Sequence, residues 1–238
     1  WMTNLYFKKL REHLIVSKSL SEINLIDGLV FDSANIDTNI ITLIKNGVNS
    51  KKVNWINSTA GKLNTVSVHR DYSQFSKEEG YSISAESDSD WYKLKKKIDK
   101  SSVELGTISK ISLGMKLRSN DEFVVKEKSK TNPDIIVFGK DVGKYQPINQ
   151  AHFFNFPKAV IVGGTKNPKI QQAKTKIFIQ AIRNLSLEER IVATLDKNSS
   201  YFVGTVNSVI LNDNNYDYEY ILGLINSKLL NTYFKKRF

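Results

Sequence analysis

KIFIQAIRNLSLEERIVATLDKNSSYFVGTVNSVI runs from Lys176 to Ile210, and YEYILGLINSKLLNTYFK follows from Tyr218 to Lys235. The first segment places short apolar, β-branched stretches, Lys176–Ile182, Ile191–Leu195 and Tyr201–Val203, between polar turns, which is the signature of strands. In the second, Tyr218, Ile221, Leu222, Ile225, Leu229, Tyr233 and Phe234 recur at helical spacing. Asp213, Asn214 or Asn215 can cap that helix, and Lys235, Lys236 and Arg237 suit its negative end. Strands followed by a closing helix predict a mixed α+β fold ending in a long helix.

Upstream the same alternation continues. Ile135–Phe138 and Val160–Val162 read as strands. Leu5–Val16 reads as a helix, with Leu5, Leu10, Leu14 and Ile15 near one face. Glu22–Ile26 and Asn39–Ile44 read as strands, with Gly28 marking a turn between them. Residues 46–102 carry turn signals at Asn46-Gly47 and Ala60-Gly61, a polar stretch at Ser84–Asp90, and a helix from Trp91 that Asp90 can cap. The expected organisation is a region at residues 1–46 at the edge of a larger sheet, a connecting region at 47–102, and a domain at 103–238.

The 238 residues carry a net charge of +11, with no cysteine. The excess is uneven. Residues 1–47 balance 5 basic against 5 acidic side chains, 48–102 hold 10 against 7, and 103–238 hold 20 against 12. Concentrated positive charge favours a polyanionic partner. The absence of cysteine excludes disulfides, thiolate zinc sites and cysteine nucleophiles, and fits a cytoplasmic setting. No apolar run approaches the roughly 20 residues that span a bilayer, so no membrane partner is expected. The chain opens on Trp1, and we expect a piece of a longer protein.

Catalytic motifs are missing. None of the four prolines, Pro133, Pro147, Pro157 and Pro168, adjoins another, so the Asn/Asp-Pro-Pro-aromatic element of amino-methylating DNA enzymes cannot be present. Gly61-Lys62, Gly139-Lys140 and Gly143-Lys144 do not continue into Ser or Thr, as a phosphate loop requires. Gly163-Gly164 reads as a tight turn. Pro133-Asp134 begins a nuclease-like pattern, but Asp141 and Lys144 are one residue too far apart to complete it. His13, His69 and His152 lack paired metal-ligand spacing. No catalytic, cofactor-binding or metal-binding residue is assigned.

Several segments carry a resemblance. Tyr6–Lys45, and within it VFDSANIDTNI, resembles the last helix and closing strands of adenine-specific DNA methyltransferases, a Rossmann-like sheet. SLGMKLRSNDEFVV (Ser112–Val125), with Leu117 where glycine is usual, resembles the TaqI-like C-terminal specificity domain of type II and IIG restriction–modification proteins. So do IIVFGKDVGKY (Ile135–Tyr145), with Lys140 and Lys144 in place of arginines, and the two closing segments quoted first. The resemblance implies a target recognition domain that binds double-stranded DNA beside a methyltransferase domain, and in some proteins a nuclease domain, of the same chain. S-adenosylmethionine, with magnesium where the protein cleaves, would serve that parent rather than this chain. The candidate DNA contacts are Lys140, Lys144 and Tyr145 on one loop, Arg183 after a strand, and Lys116, Arg118, Lys174 and Lys176. Cations neutralise phosphates and polar side chains read base edges. Arg183 could instead pair with Glu188 or Glu189. The competing expectation is a protein-interaction or scaffolding module that docks through the closing helix.

Overall fold

The computed structural model describes residues 1–31, 36, 38–62, 65–76, 78–83, 89–181 and 187–237. They form two compact units, residues 1–92 with 236–238, and residues 93–235. The fold is mixed α+β.

In the first unit, helix α1 (Lys8–Val16) leads into strands β1 (Leu20–Asp27) and β2 (Thr38–Leu43), close to the expected positions. Two further strands, β3 (Lys52–Thr59) and β4 (Thr65–Asp71), precede the short helix α2 (Tyr72–Ser76). The sheet order is β2-β1-β3-β4, with β1 parallel to β3 and the other pairs antiparallel. Residues 52–71, within the region 47–102 expected as a connection, supply β3 and β4 and complete the sheet that residues 1–46 begin. The core gathers Leu14, Ile15, Leu20, Ile23, Val53, Trp55, Tyr72, Phe75 and Ile83. The buried Arg11 donates to the carbonyls of Trp1 (2.7 Å), Asn4 (2.6 Å) and Gly80 (3.0 Å), tying three chain segments together. Helix α3 (Ser89–Ser101) begins two residues before the expected start at Trp91; most of the polar stretch before it, residues 84–88, lies outside the described residues.

The second unit is built on an antiparallel sheet of order β11-β10-β13-β5, made by β5 (Ser109–Leu113), β10 (Lys176–Gln180), β11 (Ala193–Asp196) and β13 (Val206–Leu211). Strand alternation sends Ile177 and Phe178 to opposite faces. On one face Ile177, Ala193 and Val209 pack with Ile108, from α4 (Leu105–Ile108), and with Ile221, Leu222 and Ile225. On the other, Phe178 and Val206 pack with Val137, Val142, Ile170 and Phe202. That second layer contains β6 (Lys116–Leu117) paired with β9 (Ile161–Gly163), and β7 (Asp134–Val137) lying between β8 (Phe153–Phe154) and β12 (Tyr201–Phe202). Short helices α5 (Asn120–Phe123) and α6 (Pro168–Gln171) fill the connections.

The expected long terminal helix is two helices, α7 (Tyr218–Ile225) and α8 (Lys228–Arg237). Between them the buried Asn226 accepts from Ala193 N and donates to Ala193 O, each at 2.9 Å, while Ser227 Oγ accepts the Leu230 amide at 3.1 Å as the cap of α8. The interruption changes the helical phase. Leu229, expected on the buried face, is exposed, and Asn231 points inward instead.

Close approach of backbone requires glycine at Gly114 and Gly164. A Cβ on Gly114 would lie 2.1 Å from the Val203 carbonyl oxygen, and one on Gly164 (φ +69°) 1.9 Å from the Gly114 oxygen. Gly106, by contrast, faces open space. Gly114→Ala should therefore destabilise the protein by about 1–3 kcal/mol or more through forced backbone movement. Gly106→Ala, within the short helix α4, should be neutral or stabilising by up to about 1 kcal/mol. Urea unfolding of the two variants checks the contrast.

Candidate nucleic-acid interface

The loop after β7 is the most closely tied of the expected contacts. Its turn at Gly139–Asp141 is fixed by buried Asp141, whose Oδ2 accepts the Phe138 amide at 2.9 Å. Thr205 Oγ1 accepts the Gly139 amide at 2.9 Å, and Gln180 Nε2 donates to the carbonyls of Gly139 and Val142, each at 2.7 Å. A backbone held at four points projects its side chains without much freedom. Lys140 is exposed, with Nζ 5.8 Å from the Phe138 ring centroid. Tyr145 is exposed with φ +57°; its amide donates to Ala193 O (3.2 Å) and its hydroxyl approaches Gly223 O (3.5 Å). Lys144, beside them, is half-buried and ion-paired with Glu189.

Lys116 and Lys174 are exposed. Arg118 is exposed and ion-paired at 2.5 Å with Glu122, four residues on, and its guanidinium lies 5.6 Å from the Phe123 ring. Arg183 lies outside the described residues; of the acidic partners considered for it, Glu189 pairs with Lys144.

Lys176 requires a correction. It is a candidate DNA contact by sequence, yet it is fully buried. Its ammonium meets Asp196 Oδ2 at 2.9 Å and donates to Ala173 O at 2.9 Å. Burial lowers the Lys176 pKa, and the Asp196 carboxylate opposes that shift. Asp196, equally buried, also accepts from Asn198 N (3.1 Å), Ser200 N (2.9 Å) and Ser200 Oγ (3.0 Å). This lysine is part of the core and cannot touch DNA. The alternation of β10 hid it, because its neighbour across the strand pair, Asp196, lies 20 positions away in the sequence.

Among the described residues no group of three His, Cys, Asp or Glu side chains could hold a metal ion, and no helix is long and apolar enough to cross a membrane. The exposed cations also include some that sequence reasoning did not select, among them Lys126, Lys128, Lys130 and Lys158. Lys126, Lys128 and Lys130 share one polar loop, and Lys158 follows Phe156-Pro157.

Residues 134–238 match the family model described as the TaqI-like C-terminal specificity domain. The carboxyl-terminal part of the chain is similar to the TaqI-like specificity domain. No curated protein matches the chain. The matched segment contains β7 to β13, both terminal helices and the loop carrying Lys140, Lys144 and Tyr145. It supports a role in DNA target recognition within restriction–modification.

The two neighbouring lysines of the specificity domain should separate by stability. Lys176→Met leaves Asp196 buried without its counter-charge and should cost about 3–5 kcal/mol. Lys174→Ala should stay within about 0.5 kcal/mol of the parent. Chemical denaturation followed by circular dichroism measures both.

Proposed function

We propose that this chain is the target recognition part of a type II restriction enzyme or adenine-specific DNA methyltransferase. Its TaqI-like domain binds duplex DNA through exposed cations and selects the site that is methylated or cut. The family match over residues 134–238 carries this reading. The +8 balance of residues 103–238 supports it, because duplex DNA is a dense line of negative charge. So does the loop at 139–145, which holds Lys140 and Tyr145 exposed on a backbone fixed by Asp141, Gln180 and Thr205. Lys140 and Lys116 are assigned to phosphates and Tyr145 to the sugar or a base edge. Arg118 and Lys144 would exchange Glu122 and Glu189 for phosphate on binding.

Catalysis belongs to a methyltransferase domain, and in a cleaving protein a nuclease domain, of the same polypeptide working in the cytoplasm. S-adenosylmethionine, and magnesium where cleavage occurs, act there. The resemblance of residues 1–46 to the close of a methyltransferase sheet supports this assignment.

A second reading, a protein-docking module of a restriction–modification complex, is favoured by one observation. Tyr220 and Leu224, one turn apart on α7, are 58% and 41% exposed, an apolar pair of the kind that seats against a partner.

Fluorescence anisotropy with a labelled duplex distinguishes the two. DNA reading predicts a dissociation constant on the order of 10⁻⁴–10⁻⁶ M for an unrelated sequence at moderate salt, weakening linearly with the logarithm of salt concentration. Lys140→Ala should reduce that slope by about 0.9. Binding that ignores salt, or its absence even at low ionic strength, overturns the proposal in favour of docking.

A further inference from the structure

The connection from α5 to β7, residues 124–133, reads Val-Val-Lys-Glu-Lys-Ser-Lys-Thr-Asn-Pro. A loop with this composition has few apolar groups to hold it, yet its two ends are fastened to one short stretch of chain. At its start Val125 and Phe153 exchange both backbone hydrogen bonds, each 2.8 Å. At its end Asn155 Nδ2 donates to the Thr131 carbonyl at 2.8 Å. Phe153 and Asn155 are two residues apart, so residues 126–130 form a closed excursion from the edge of β8.

The excursion is also braced internally. Ser129 and Asn132 exchange backbone bonds of 3.3 and 3.2 Å, Ser129 Oγ accepts the Asn132 amide at 3.1 Å, and Ser129 and Thr131 hydroxyls lie 2.9 Å apart. Asn155 has a second task. Its Oδ1 accepts the Lys158 amide at 3.2 Å and caps the turn Phe156–Lys158. One buttressing side chain therefore holds Lys158 and the lysine loop to the same spot.

Lys126, Lys128, Lys130 and Lys158 are all exposed, and none has an acidic partner among the described residues. Glu127 is the single carboxylate within residues 126–132, and the adjacent Asp134 turns its Oδ2 to the Phe156 amide at 3.0 Å. Four unpaired ammonium groups against one free carboxylate make a strongly positive patch. A protein partner would need a desolvated aromatic or aliphatic anchor at its centre, and residues 126–132 contain no apolar side chain. Lysine, serine, threonine and asparagine are instead the side chains that contact phosphate oxygens. Because the loop is already tied down, binding orders side chains only and not backbone, which lowers its entropic cost.

We infer that Lys126, Lys128, Lys130 and Lys158 form a second phosphate-contacting site, one that grips the backbone of the duplex and is held in place by Asn155. The inference rests on the DNA-reading function proposed above and adds a separate set of contacts to those on the loop at 139–145. Phosphate contacts carry no sequence information, so this site sets affinity and register rather than choice of base.

The test compares three forms of the whole chain in the anisotropy salt titration. They are the parent, the triple variant Lys126→Ala/Lys128→Ala/Lys130→Ala, and a control of equal charge loss, Lys96→Ala/Lys97→Ala/Lys100→Ala, taken from exposed positions on α3. Circular dichroism confirms that each is folded, which the exposure of all six positions leads one to expect. The slope of log affinity against log salt should fall by about 2.7 in the triple variant, at about 0.9 for each lost phosphate contact, and by less than about 1 in the control. Adding Lys158→Ala to the triple variant should lower it by about a further 0.9. The loss should be the same on duplexes of unrelated sequence. If the triple variant and the control lose equal slope, or neither does while the parent still binds with salt dependence, the second site is wrong and DNA reading survives. If the parent shows no salt-dependent binding, the site falls together with the function it serves.

Discussion

The pairing of Lys176 with Asp196 is the constraint around which the second unit is arranged. Both side chains are fully buried, and taking two charges out of water costs several kcal/mol per ion unless every lone pair and proton finds a partner. The chain meets that demand by geometry. Lys176 opens β10 and Asp196 closes β11, so the ion pair is a cross-strand pair of the register itself. The remaining acceptor capacity of Asp196 is used by the amides of Asn198 and Ser200 and by the Ser200 hydroxyl. That dictates the tight path through Ser199, at φ +55°, and delivers Tyr201 and Phe202 into parallel pairing with β7. A single electrostatic requirement thus fixes strand register, turn conformation and the junction between two sheets.

The edge strand β11 raises the opposite difficulty, backbone groups with no neighbouring strand. Open strand edges invite pairing with other chains. Here two asparagines from the terminal helices supply the missing partners. Asn226 forms a pair of hydrogen bonds with Ala193, while Asn231 accepts from the amides of Arg190 and Ile191 and donates to the Ile191 carbonyl. Turning both carboxamides inward requires the break between α7 and α8, since residues five apart do not share one face of a continuous helix. Edge protection and helix interruption are the same feature seen from two sides. Its consequence at the surface is that Leu224 and Leu229 face outward.

Most strands of the second unit were legible because apolar alternation bounded by Gly, Pro and Asn is a local signal. β7, β9, β10, β11 and β12 lie within a residue or two of the positions expected. β3 and β4 were not legible. Lys-Val-Asn-Trp-Ile-Asn-Ser-Thr mixes polar and apolar residues so evenly that its strand identity comes from pairing with β1 and β4, not from pattern. The terminal helix was read as one because nothing local distinguishes an inward asparagine from a solvated one; Asn226 acquires its role only when Ala193 is beside it. Lys176 failed for the same reason in electrostatic form. A lysine next to other lysines reads as surface until the strand register brings a carboxylate to it. The cysteine count, the missing catalytic motifs and the specificity-domain resemblance needed no such long-range information, and the resemblance over the carboxyl-terminal part is matched by the family model.

The glycines and polar anchors of the two motif-like segments show how a weak sequence pattern can carry firm structural meaning. Gly114 belongs to the stretch Ser112–Val125, and it is there because the Val203 carbonyl leaves no room for a Cβ. Gly139 belongs to Ile135–Tyr145, where an added Cβ would come within 2.7 Å of the Thr205 carbonyl oxygen. Val203 and Thr205 flank Gly204, so both segments converge on the turn between β12 and β13. What the glycines of the pattern specify is therefore a packing node. The same node, together with Gln180, ties the backbone of residues 139–142, and beyond it Tyr145 takes a left-handed conformation that costs a non-glycine residue about 1 kcal/mol or more. Strain of that size persists only where surrounding structure over-determines it, and here Ala193 O receives the Tyr145 amide while also bonding Asn226. The edge-capping asparagine and the exposed basic loop therefore share one carbonyl. On the proposed DNA-reading function, a loop preorganised in this way would meet a polyanion with its backbone entropy already lost to folding, leaving side-chain ordering and counterion release as the terms that set affinity.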